Sequence, residues 1–131
     1  MTKHLNSTFV LTFLLTLTVF YLLIYASAQV AWDYASTSSN GVTIAQDAYT
    51  QIEAQREVIT WQSIFLNNLY VSFLPIVCLP IVGLLLFCGV LTNTGEVIGY
   101  LAFATGYTPF NYLLAISFPV GVIEISAYAL I

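Results

Sequence analysis

Three stretches of this chain, residues 9–30, 69–91 and 109–131, each run for about twenty residues with almost no charge. A helix of that length covers the roughly 30 Å of a bilayer's hydrocarbon. Inside lipid every backbone N–H and C=O must find its partner within the polypeptide, so helices are the natural solution. Composition agrees, with 60% apolar and 6% charged residues against about 25% charged in soluble domains. The reading is an all-α, polytopic integral membrane protein whose 131 residues form a single membrane domain.

The same shortage of charge excludes several functions. Lys3, His4 and Arg56 are the only residues able to carry positive charge, too few for a phosphate-binding patch, so nucleic acid is not a partner. His4 is the only histidine, and no serine or threonine has an evident partner base, so the chain reads as a non-enzyme. Cys78 and Cys88 sit on one predicted helix about 15 Å apart, beyond disulfide reach, and read as free thiols packed as small apolar groups. Nothing completes a four-ligand metal site, and no cofactor is implied.

Residues 9–30 exceed the apolar core of a secretory signal, so despite Ala26-Ser27-Ala28 they read as a retained first span. Lys3 places the N-terminus in the cytosol by the positive-inside rule, where the Asn6-Ser7-Thr8 sequon stays unmodified. Residues 31–66 then form an exported, extracytoplasmic loop. Trp32 and Tyr34 mark its start and Trp61 and Tyr70 its return, at headgroup level. Residues 34–42 are small, polar and turn-prone, and read as surface loop. From Thr43 an amphipathic helix is expected, with Ile44, Ile52 and Ile59 on a stripe that is either solvated or offered to a partner subunit.

Asn67 and Asn68 open a second span, 69–91, bent by Pro75 and Pro80, with Gly83 and Gly89 available for close helix approach. Thr92-Asn93-Thr94-Gly95-Glu96 reads as a cytosolic turn. Residues 95–107 are too short to cross, and are expected to tilt or re-enter. Gly106-Tyr107-Thr108-Pro109 forms the next turn, with Pro109 at a first helical position.

The last stretch, 109–131, carries the sequence's sharpest chemical signal. Glu124 lies in a run that is otherwise apolar, just after Pro119 and Gly121, which favour a kinked or broken third span. A carboxylate at that depth belongs against protein or water. Its candidate partners are freed backbone groups near Pro119 together with Asn67, Asn68, Asn93 or tyrosine hydroxyls. In one reading Glu124 is structural; in the other it relays protons or cations, with Glu96 at the entrance.

From Phe65 onward the order of features resembles the stage II sporulation protein M family of multi-pass membrane proteins. The likeness is carried by Phe65-Leu66-Asn67-Asn68-Leu69, by Asn93-Thr94-Gly95 followed by Gly99, and by Pro119-Val120-Gly121-Val122-Ile123-Glu124-Ile125-Ser126-Ala127. The family element reads approximately Pro-His-Gly-x-x-Glu-x-x-Ala, matched at Pro119, Gly121, Glu124 and Ala127. Val120 stands where the family has His, and the chain stops at Ile131 where members continue, so it resembles a divergent or shortened relative. The resemblance implies a scaffold role. The expectation is an accessory or scaffold subunit of a complex in the cell membrane, partnered by other integral membrane subunits and the lipid bilayer. The alternative is an ion or proton conduit using Glu124.

Overall fold

The computed structural model describes residues 7–56, 58, 60–77 and 80–117. They form five helices: α1 (Ser7–Thr37), α2 (Ser39–Arg56), α3 (Trp61–Val77), α4 (Pro80–Ala104) and α5 (Pro109–Ile116). Two of these, α1 and the Ile81–Ala104 part of α4, are long and apolar enough to cross a membrane. In their most apolar windows only 11% and 28% of residues are buried, respectively, unlike the core helix of a soluble protein. Large apolar side chains such as Leu11, Leu15, Leu22, Ile81 and Leu85 face outward.

The molecule is built on the contact between α1 and α4. Phe20 meets Phe87 edge-on at 5.0 Å, and Trp32 meets Phe103 at 6.3 Å. Between them, Gly95 faces Ile24 and Ser27, and Gly99 faces Ala28 and Ala31. Residue numbers rise together on both helices, so α1 and α4 run parallel. The approach is close enough to need glycine: a Cβ on Gly95 would lie 2.7 Å from Ser27 Cβ, and one on Gly99 would lie 2.8 Å from Ala31 Cβ and strike the Ala28 carbonyl. Ala28, Ala35, Ala45 and Ala102 are all 0% exposed. Small residues at a helix crossing bring backbones together and gain dispersion contact without relying on expulsion of water. Beside this seam Ile24, Phe87, Leu91, Ile98 and Leu113 form the larger-residue cluster, with Val71 packed against it from α3.

Several boundaries differ from the expectation. Residues 34–42 are not a loop: α1 continues to Thr37, and α2 begins after a single residue, Ser38. The small polar residues sustain helix here because the Ser36 and Thr37 hydroxyls both donate to the Asp33 carbonyl, at 2.8 Å each. Ser38 Oγ then accepts from Gly41 N, capping α2. The chain doubles back sharply, since a Cβ on Gly41 would lie 2.5 Å from the Tyr34 carbonyl oxygen and 2.7 Å from Ala35 Cα. α2 packs on α1 and α4 and buries Gly41 and Ala45, a face offset from the isoleucine stripe.

Over 69–91 the described residues fall in two helices, α3 to Val77 and α4 from Pro80, where proline suits a first helical position. α3 packs against α4, and Asn67 and Asn68 fall within α3. The cytosolic turn at Thr92–Glu96 and the separate short helix over 95–107 are likewise corrected, since α4 continues to Ala104. Thr92 and Thr94 return their hydroxyls to the carbonyls of Cys88 and Val90, at 2.9 and 2.8 Å, which lets polar residues stay inside the helix. The following turn is as the sequence suggests: Gly106 has φ +76°, Thr108 caps by accepting from Asn111 N, and Pro109 opens α5. The predicted break around Pro119 lies outside the described residues.

Candidate functional site

α4 presents two faces of opposite character. One carries the Gly95–Gly99 seam. The other carries Gly89, Asn93, Glu96 and Tyr100, spaced four, three and four residues apart, so that they fall on one stripe of the helix. Gly89, Asn93 and Glu96 are exposed and Tyr100 is half-buried. A Cβ added to Gly89 would meet nothing within 4 Å. The stripe lies deep along the helix: Glu96 is about 24 Å from Pro80 and about 12 Å from Ala104. A charged side chain near the middle of a membrane helix costs about 2.5–3.5 kcal/mol on insertion scales. Among the described residues the one ion pair joins Arg56 to Glu53 at 3.4 Å, and Glu96 has no cation beside it.

A second polar feature climbs α1. Tyr21, Tyr25, Gln29 and Asp33 recur every four residues and so share a face. Tyr25 Oη donates to Gln29 Oε1 at 3.4 Å, and Gln29 Nε2 donates to Asp33 Oδ1 at 3.0 Å. The ladder rises about 18 Å from Tyr21 to Asp33. Near its top Trp32 Nε1 donates to the Tyr107 carbonyl at 3.1 Å, tying α1 to the turn before α5. At its foot, Tyr21 Oη is the buried side-chain polar atom that lacks a hydrogen bond among the described residues. Ser117 lies beside it, itself buried, but out of hydrogen-bonding geometry. The foot of the ladder opens into a groove of about 670 Å³ between α1 and α5, walled by Leu17, Tyr25, Phe110, Leu113 and Leu114.

The residues singled out from sequence are dispersed among these features. Asn93 stands on the outward stripe of α4; Asn67 is exposed and Asn68 half-buried on α3. Ile44 and Ile52 are 42% and 37% exposed on α2. Glu124, Pro119, Gly121 and Ile59 lie outside the described residues. Glu96, assigned from sequence to a turn at an entrance, stands within α4. The sequence carries two signals for these features: the four-residue interval between Gly95 and Gly99, and the four-residue recurrence of Tyr21, Tyr25, Gln29 and Asp33. Among the described residues no three His, Cys, Asp or Glu side chains converge as a metal site would require. No protein-family model, curated protein or solved structure matches the chain.

Proposed function

We propose that this chain is a non-catalytic accessory or scaffold subunit of a multi-subunit complex in the cell membrane. The observation that carries the proposal is the outward stripe of α4, where Asn93 and Glu96 stand exposed within a helix otherwise suited to lipid. Intramembrane polar groups of this kind face other protein or water. The parallel course of α1 and α4 supports a multi-pass arrangement, because two helices crossing in one direction require the chain between them to return. With Lys3 cytosolic, the α1–α2 corner and the Trp32–Tyr107 contact lie on the extracytoplasmic side, where aromatic rings favour the interface. The likeness to the stage II sporulation protein M family points the same way, towards membrane scaffolding. Purification in a mild detergent is expected to recover the chain in a particle well above the mass of one copy. A stable, monodisperse monomer would count against the proposal.

A proton or ion conduit is the second reading, and the Tyr21–Tyr25–Gln29–Asp33 ladder favours it. Its hydrogen-bonded part covers the outer portion of α1, and Glu124 would have to extend the path inward. This reading expects both Gln29→Leu and Glu124→Gln to reduce proton flux into proteoliposomes at least about tenfold without disturbing assembly. Unchanged flux in both variants would remove it.

A further inference from the structure

The stripe on α4 also constrains what covers it, an argument that rests on the membrane-subunit reading. Neither the chain's own charges nor a second copy supplies a complement. Its six acidic residues outnumber two Lys and Arg, for a net charge of −4. Arg56 is engaged with Glu53. Lys3 and His4 precede α1, whereas Glu96 is level with Tyr25 because its neighbour Gly95 packs on Ile24. From Ser7 to that level is about 27 Å along the helix. A second copy would place another Glu96 at the same depth, and like charges in a medium of low dielectric repel strongly.

The remaining members of the stripe suit a close helix. Glycine weakens a helix interior unless its missing side chain serves an approach, and the space above Gly89 is open. Intervals of four and three residues are those along which one helix seats another. Asn93, one turn from Glu96, adds an amide able to donate and accept between helices. We propose that this stripe seats a transmembrane helix of a different protein, whose Lys or Arg side chain pairs with Glu96 at a depth of about 10 Å below the Trp32–Phe103 level.

The test places a photo-reactive amino acid at Leu85, which is 66% exposed and lies on the same side of α4, in the full chain expressed in its native membrane. The expected result is a crosslink that maps to a membrane helix of another protein with Lys or Arg at the matching depth. Glu96→Leu should lower recovery of that protein at least about tenfold while the variant still resists alkaline extraction from membranes. Exchanging the charges, Glu96→Lys with an acid at the partner's basic position, should restore it. A Glu96→Leu variant that keeps its partner overturns the inference and leaves the subunit reading standing. A crosslink to a second copy, or to a helix without a base, also overturns it. A wild-type chain that purifies as a monomer ends the subunit reading itself, and this inference with it.

Discussion

Gly99→Leu is expected to force α1 away from α4 and to be the most disruptive single substitution in the described part of the chain. A side chain there strikes the Ala28 carbonyl and Ala31 Cβ, and backbone on a packed helix cannot rotate aside as a side-chain tip can. Overpacking costs about 1–3 kcal/mol where the surroundings yield, and more where they do not. Gly99→Ala should already fall within that range, as should Gly95→Ala, whose Cβ meets Ser27. Gly89→Ala is the internal control, because it adds a methyl group to open space and exchanges a poor helix former for a good one, a gain of about 0.5–1 kcal/mol. Reversible unfolding of the chain separated from any partner should therefore give opposite signs for two glycines of the same helix. Equal effects at Gly89 and Gly99 would refute the seam.

Gly41→Leu should open the α1–α2 corner. All three nearest atoms to the added Cβ are backbone, belonging to Tyr34 and Ala35, so relief requires α2 to swing. A cost of about 1–2 kcal/mol raises the open population by a factor of about 5–30. Hydrogen exchange of amides 42–50 should accelerate by that factor, while amides within α4 keep their protection. Gln46→Leu, on the exposed side of α2, should change neither. If Gly41→Leu leaves exchange in α2 unaltered, the corner is not held by that contact.

The parts of the fold legible in the sequence were those written in hydropathy and turn chemistry. The apolar run over 9–30 lies inside α1, and Gly106-Tyr107-Thr108-Pro109 is the turn it was read as. Two of the errors share one physical origin. Ser36, Thr37, Thr92 and Thr94 look like loop residues by composition, yet each returns its hydroxyl to a carbonyl three or four residues earlier and so costs the helix little. That behaviour turned helix into apparent loop both at 34–42, where Ser38 alone interrupts it, and at 92–96. Misplacing the second of these hid the depth of Glu96, and with it the outward stripe. The pairing of Gly95 with Ile24 and of Gly99 with Ala28 depends on how distant helices align, which no local pattern encodes.

The parallel alignment of α1 with α4 carries a consequence for biogenesis. The Trp32 indole bonds a carbonyl 75 residues later in the chain, so α1 is synthesised long before its companion exists. At synthesis rates of about 5–20 residues per second, that interval is about 4–15 s. During this time the alanine-lined side of α1 has no glycine ridge to sit against.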